Sequence, residues 1–254
     1  KVTQLMIDHI SVAIIVKNGA KTLKNTMDSL IPFADVVVYD NGSTDGTQEI
    51  VKNYSNTRLI EGEFLGFGDT KNKVASFSNN DWVLSLDADE VVSPELAQTL
   101  ETLTLNNNAV YSMTMFNFYK QRQIKHCWGN HVLIRLYNKS STSFTRSKVH
   151  ETIITEGLEV IKIDGVLNHF SYSSVSDFIV KLDNYSTLYA VDNQGKKSSS
   201  PLKAVVSGIF SFVKTYFFKR GFLDGTPGLI IAFSHMATNF YKYIKLYEIN
   251  NESK

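Results

Sequence analysis

Two aspartates separated by a single alanine close the apolar run V-L-S-L-D-A-D-E at positions 83–90, where Asp87 and Asp89 stand side by side. Apolar runs normally close in neutral turn residues, because two anions this near each other repel and must be hydrated or paired. Asp-x-Asp at the end of a strand suits a hard divalent cation, which takes oxygen ligands and can hold a diphosphate at the same time. A charged loop after a strand gives the same pattern, so the pair alone reads either way. A second apolar run, at 36–39, also ends in a carboxylate, Asp40, followed by N-G-S-T-D-G-T. That aspartate is either a ligand acceptor or a cap to the turn.

The elements that must position these carboxylates alternate between strand and helix. Residues 10–16, I-S-V-A-I-I-V, form a near-continuous apolar stretch, as in a parallel strand covered on both faces. Leu23, Met27, Leu30 and Ile31 follow at helical spacing, and Val36-Val37-Val38-Tyr39 is a second strand. The glycine-rich turn after Asp40 opens a helix bearing Ile50, Val51 and Tyr54, and Arg58-Leu59-Ile60 is a short third strand. Gly66-Phe67-Gly68-Asp69 is expected as a loop leading into a helix that carries Lys71, Val74, Ala75 and Phe77. Residues 82–86 make the fourth strand, and Ser93-Pro94-Glu95 reads as an N-cap, a first-turn proline and an acidic first turn. This order predicts a parallel sheet with right-handed crossovers. Ligands of such sheets bind outside the carboxyl ends of the strands, so Asp40 and Asp87 are expected to line one crevice. K-N-G-A follows the first strand in place of G-x-G-x-x-G, which disfavours a dinucleotide site, and no G-x-x-x-x-G-K-[ST] is present, which removes the P-loop class. A mononucleotide site remains, with carboxylates for ribose or base and Asp89 with a metal for phosphate.

At 254 residues, 43% hydrophobic and 20% charged, the chain has an ordinary globular composition. A single cysteine, Cys127, excludes an intrachain disulfide framework and fits a reducing compartment. The opening ten residues lack the apolar core of a signal peptide, so a cytosolic enzyme is expected. The net charge of +1 is unevenly spread: residues 194–247 hold eight Lys and Arg against one acid, Asp224. A basic, aromatic-rich tail on an acidic body suggests an anionic partner. Nucleic acid is not that partner, because the basic residues are interleaved with aliphatics on helices.

Taken in order and spacing, the first strand with K-N-G, then D-N-G-S-T-D-G-T, G-F-G-D-T-K-N and L-D-A-D-E resemble the family-2 inverting glycosyltransferases of GT-A fold over roughly the first hundred residues. R-L-Y-N, V-H-E, N-H-F-S-Y-S-S and a late K-x-x-x-Y helix resemble the bacterial branch that adds a hexose to the inner core of lipopolysaccharide or lipooligosaccharide. The resemblance implies an α/β fold with a mainly parallel nucleotide-binding sheet flanked by helices. It implies a catalytic domain at 1–170, with a nucleotide-sugar half at 1–105 and an acceptor half at 106–170, and a helical region at 171–254. It further implies UDP-glucose or a related UDP-hexose as donor, a lipid-linked core sugar such as heptose as acceptor, and Mn2+ or Mg2+ as cofactor. Asp40 is placed on the uracil, Asp87 on the ribose and the metal, and Asp89 on the metal. Asn18 of K-N-G and Lys71 fall on the nucleotide-sugar side, although Lys71 also reads as a solvent-facing helix lysine.

Inverting transfer needs a general base for the acceptor hydroxyl. Many relatives use a Glu-Asp pair after the metal motif, and this chain has none. Glu151, in Val149-His150-Glu151, is the substitute; Asp164 and Glu156 are weaker, each beside a turn glycine. His169 is expected either as a further metal ligand or as a structural strand-end histidine, with His150 its competitor. Arg135 leaves an apolar stretch and needs an anion, either a phosphate or a structural carboxylate. Trp128 offers a sugar-stacking face or core packing.

Beyond residue 170 the pattern is helical. Ser174 and Asp177 read as a capping box, with Phe178, Leu182, Tyr185 and Tyr189 on one face. The polar stretch 192–201 is expected as a flexible loop. Leu202, Val205, Val206, Ile209, Val213, Tyr216 and Phe217 then repeat at helical spacing among Lys203, Lys214, Lys219 and Arg220, and a last helix spans 229–247. Charges interrupt both before about 18 clean apolar residues, so neither spans a membrane. The stripe either packs on the catalytic domain or rests on the anionic inner face of the cytoplasmic membrane. Two other classes share parts of these features, a sugar nucleotidyltransferase and a non-catalytic glycan- or lipid-binding module. The first expects a Gly-rich basic loop where K-N-G-A stands, and turnover of a UDP-sugar excludes the second.

Overall fold

In the computed structural model, which describes residues 5–146 and 151–252, strand β1 (Ile7–Val16) is buried at every position from Ile10 onward. Its side chains alternate between two cores. Val12, Ile14 and Val16 join Leu23 and Met27 of α1 (Leu23–Ser29) and Leu96 of α4 (Pro94–Thr102). Ala13 and Ile15 join Val74 and Ala75 of α3 (Phe67–Ser76) on the opposite face. A strand apolar on both faces belongs inside a parallel sheet with helices on each side. β2 (Phe33–Asp40) and β4 (Trp82–Asp87) flank β1 in parallel. β3 (Thr57–Glu61) extends the sheet beyond β2, after helix α2 (Thr47–Lys52).

The remaining strands are β5 (Glu90–Val92), β6 (Ala109–Tyr119), β7 (Arg122–Gln123), β8 (Asn130–Asn138) and β9 (Glu159–Tyr172). The sheet runs β3-β2-β1-β4-β8-β6-β9-β5, with β7 paired to β6. β8 lies antiparallel on β4, and β5 antiparallel on β9 with Glu90 opposite His169. Both registers matter for the site, since they fix where Arg135 and His169 emerge.

By packing, the chain forms two units, Lys1–Phe116 with His131–His169, and Asn117–Asn130 with Phe170–Lys254. The second contains α5 (Val175–Asn193), α6 (Pro201–Val213), a π-helical turn (Lys214–Phe218), a 3-10 turn (Gly221–Asp224) and α7 (Thr226–Glu252). α5 and α6 both pack on α7. Asp224 is buried and accepts backbone N–H bonds from Lys125, His126 and Cys127, which ties 117–130 to the helices. Trp128 is half-buried and stacks on Tyr172 and Phe178 against this core, the packing role foreseen for it.

The expected helix caps are present. Ser93 accepts the Leu96 N–H with Pro94 in the first turn, and Ser174 and Asp177 cap each other. Three expectations change. α3 begins at Phe67, so Gly68 is helical and not part of a loop. The stretch 192–201 is not a free loop: Asp192 and Asn193 belong to α5, the Gly195 N–H donates to Asn250, and the Ser199 hydroxyl donates to the Tyr243 carbonyl. On α5, Tyr185 faces solvent while Phe178, Ser186 and Ala190 are buried.

Candidate active site

The loops at the ends of β1 and β2 are bound to each other. Asn18 adopts a left-handed backbone at φ 53°, donates its N–H to the Ser43 hydroxyl at 2.8 Å and accepts the Thr44 N–H at 2.9 Å. The Gly19 N–H donates to Thr47, and the Ala20 N–H to Asp45. Asp40 is fully buried beneath this loop and accepts the Ser43 N–H at 3.0 Å, the Ser43 hydroxyl, and the Gln48 amide at 2.8 Å. Burial works to raise its pKa, but these bonds outweigh it and hold the carboxyl below the usual range. Here the turn-cap role foreseen for Asp40 is filled, and both its oxygens are engaged.

At the end of β4 the surroundings are ionic. The Ala88 carbonyl accepts the hydroxyls of Thr22 and Thr26 at 3.2 and 3.0 Å, which pins the turn between the two aspartates to α1 and its N-cap. The Asp87 N–H donates to Glu90 at 3.0 Å. The Asp87 carboxylate pairs with Lys71 at 3.0 Å on one oxygen and with Arg135 at 3.0 Å on the other. Lys71 also pairs with Glu151 at 2.9 Å, and Arg135 with Glu90. Lys71 is 3% exposed, so it is a buried bridge between two carboxylates and not a solvent-facing lysine. Burial works against the Asp87 anion, yet Arg135 and Lys71 hold it far below the ordinary carboxylate range. Burial pushes Glu90 the other way, above its usual value, against the attraction of Arg135. Arg135 Nε is buried with no acceptor among the described residues.

Asp89 lies next to this network, with His169 Nε2 3.4 Å from its carboxylate. Burial disfavours the charged ring of His169, but Asp89, Glu90 and Asp87 together raise its pKa. No group of three His, Cys, Asp or Glu side chains placed to hold a metal ion occurs among the described residues. The donor chemistry nevertheless fits a hard cation of the kind that takes one or two protein ligands and completes its shell with phosphate oxygens and water. Asp89 supplies the carboxylate oxygen, and His169 beside it offers a ring nitrogen only in its neutral form. Among the described residues Asp87, Glu90 and Glu151 pair with Lys71 and Arg135, and Asp89 adds a further carboxylate whose charge a divalent ion would offset.

Glu151 reaches Lys71 because the chain between β8 and β9 is fastened to α3. Asn72 bonds the backbone of Phe144 in both directions, at 2.8 and 3.0 Å. A Cβ on Gly68 would lie 1.9 Å from the Thr145 carbonyl oxygen, so only glycine permits this approach. Thr145 donates its N–H to the Thr152 carbonyl at 2.8 Å, and Phe144 bridges Ile153, which sets 151–153 beside the residues fastened to α3. The Phe144 ring also lies 5.3 Å from the Lys71 ammonium.

The structure therefore gathers Lys71, Asp87, Arg135 and Glu151 into one network, pairs Asp89 with His169, and puts Asn18 and Asp40 in the neighbouring loop. Glu156 and Asp164 are exposed and take no part, and His150 lies outside the described residues. Glu90 is the residue that sequence reasoning passed over. It anchors both Arg135 and the Asp87 amide, and its one signal was a carboxylate three residues after Asp87, within reach of a turn.

Residues 11–156 match the family model described as glycosyl transferase family 2. An uncharacterized glycosyltransferase of Rickettsia typhi is 30% identical over 96% of this chain and 89% of its own length. The lipopolysaccharide core biosynthesis glycosyltransferase LpsC of Rhizobium meliloti is 26% identical over 94% of this chain and 92% of its own. Among solved structures, S. aureus TarS 1-349 in complex with UDP aligns with a TM-score of 0.45 and 15% identity, covering 96% of this chain and 92% of that one.

Proposed function

Since the chain belongs to glycosyl transferase family 2, we propose that it transfers a hexose, glucose from UDP-glucose being the leading donor, to a lipid-linked core sugar with inversion at the anomeric carbon. The observation that carries the reading is the network at the end of β4, where Lys71 joins Asp87 to Glu151. Asp87, Lys71 and Arg135 face the donor, Asn18 and Asp40 shape the nucleotide end, and Glu151 faces the acceptor. The acceptor hydroxyl attacks the anomeric carbon as the bond to the diphosphate breaks. Its proton passes to the Glu151 carboxylate, and UDP leaves. Lys71 orients Glu151 and contributes positive charge beside the departing diphosphate. Asp89 and His169 would hold Mn2+ or Mg2+, which supplies neutralisation of the leaving group when bound. Likeness to LpsC, whose name refers to lipopolysaccharide core biosynthesis, supports a core sugar such as heptose as acceptor. Such an acceptor brings the enzyme to the inner face of a membrane as a peripheral protein.

UDP release from UDP-glucose, measured with a heptose-bearing core acceptor and manganese, tests this reading. The expected result is acceptor-dependent turnover that chelation abolishes and Asp89→Asn suppresses with the fold intact. Turnover indifferent to both contradicts the metal assignment, and no turnover with any UDP-hexose contradicts the reaction.

A further inference from the structure

Within the helical unit α5 buries Phe178 and α7 buries Ile231 and Leu246, but α6 reverses the usual distribution of side-chain size. On α6 the buried positions are Ala204 and Gly208, and on α5 they include Ser186 and Ala190. A Cβ on Gly208 would sit 3.1 Å from the Met236 carbonyl oxygen, so α6 and α7 approach as closely as small residues permit. The large apolar side chains of α6 and of the turn after it point away: Ile209 is 56% exposed, Phe217 54% and Phe218 73%. A helix that packs on a core turns its apolar stripe inward. Here the stripe faces out.

These outward residues form one face. An apolar groove of about 340 Å³ runs between α5 and α7, and another of about 250 Å³ runs between α6 and α7. Ala237 lines both, so they open on either side of the same stretch of α7. Ile179 and Phe233 line the first, Val205 and Ile209 the second, and all four are exposed. The Phe212 ring, 5.0 Å from Phe233 and 5.4 Å from Tyr216, carries the face on to the π-helical turn. At that turn Lys214, Lys219 and Arg220 are exposed, and none pairs with a carboxylate among the described residues. Asp224 is the one acid between 194 and 247, and it is buried on backbone amides.

We propose that this face rests on an anionic lipid surface. The apolar side chains of α5, α6 and α7 enter the headgroup–acyl boundary, and Lys214, Lys219 and Arg220 lie on lipid phosphates. No helix among the described residues is long and apolar enough to cross a membrane, so the contact is interfacial. A second copy of the chain is a poorer match. A two-fold interface sets a patch against itself, and the exposed acids of this unit, Asp183, Asp192, Glu248 and Glu252, lie on α5 and at the C-terminal end of α7 and not on the turn that carries Lys214, Lys219 and Arg220. The inference deepens the membrane placement in the proposed function, but it uses none of the donor-site residues, so its failure and that of the transfer reading are distinguishable.

Co-sedimentation of the full chain with vesicles of phosphatidylcholine, alone or mixed with phosphatidylglycerol, tests it. The expected result is preferential binding to the mixed vesicles that weakens as salt rises. K214E/K219E/R220E should weaken that binding at least about 100-fold, at about fivefold for each basic residue. F217S/F218S should weaken it while leaving the salt dependence in place, and both variants should keep the wild-type melting transition. Three results overturn the proposal: no vesicle binding by the wild type, binding indifferent to salt and to the triple substitution, or a dimer in analytical ultracentrifugation that F217S/F218S disperses. In each of these cases a retained thermal response to UDP-hexose would leave the transferase reading standing.

Discussion

Asp40 and Asp87 end the two strands that flank β1, and their surroundings are opposite in kind. Asp40 is fully buried and satisfied by neutral donors from its own loop. Asp87 is partly open and satisfied by two cations that are themselves shared with Glu151 and Glu90. Neutral donors close a carboxylate into the fold. Shared cations leave it able to exchange partners when a charged ligand arrives. The contrast shows Asp40 holding its own loop together, and it makes the Asp87 network the place where the proposed chemistry is to be tested.

The largest effect should come from Glu151→Gln. A general base contributes about 10²- to 10⁴-fold, so kcat should fall by that factor while the melting temperature and donor affinity change little. A kcat near wild type would move the base elsewhere. Next is Arg135→Ala, which leaves Glu90 buried without its cation. Removing one partner of a buried pair costs about 3–5 kcal/mol, read as a lower denaturant midpoint at constant slope. Replacing Glu90 by Gln should cost stability too and raise the donor KM, since Glu90 acts only through Arg135 and the Asp87 amide. A change in stability alone would make Glu90 purely structural.

Gly68→Ala forces the Thr145 carbonyl off α3, at about 1–3 kcal/mol for an overpacked contact, and should lower kcat more than it raises the donor KM. The smallest effect is expected from Asp40→Asn, a loss of about 1–2 kcal/mol near neutral pH. The pH dependence of that loss sharpens the contrast. Asp40 has a folded-state pKa below its ordinary 3.8, so its contribution is complete above that value and disappears as pH falls through the depressed one. Asp40→Asn should therefore flatten the acid limb of the melting-temperature profile below about pH 4. An unchanged acid limb would mean that the loop does not depend on this carboxylate.

Much of this was legible in the residues, and the reason differs from case to case. Continuous apolar runs marked β1, β2 and β4, and with them the strand-end positions of Asp40 and Asp87, because a strand buried on both faces leaves few alternatives. Ser93 and Ser174 announced their helices because capping is a local geometry. Glu90 was not legible, since its burial depends on the β5–β9 register, set about eighty residues later in the chain. The role of Gly68 was hidden for the same reason, as its neighbour Thr145 is remote in sequence. Periodicity located the stripe on α6 but carries no sign. Whether a stripe faces a core or the outside is decided by the size of the residues on the other face, here Ala204 and Gly208.

The central claim is that the network at the end of β4 receives a UDP-hexose. Melting curves of the wild-type chain and of Asp89→Asn, each with UDP-glucose and manganese, test it most directly. At 100 times its dissociation constant a ligand should stabilise the fold by about 2.7 kcal/mol. The account predicts that shift for the wild type and its loss in Asp89→Asn. No shift with any uridine nucleotide, or an equal shift in both proteins, would contradict it.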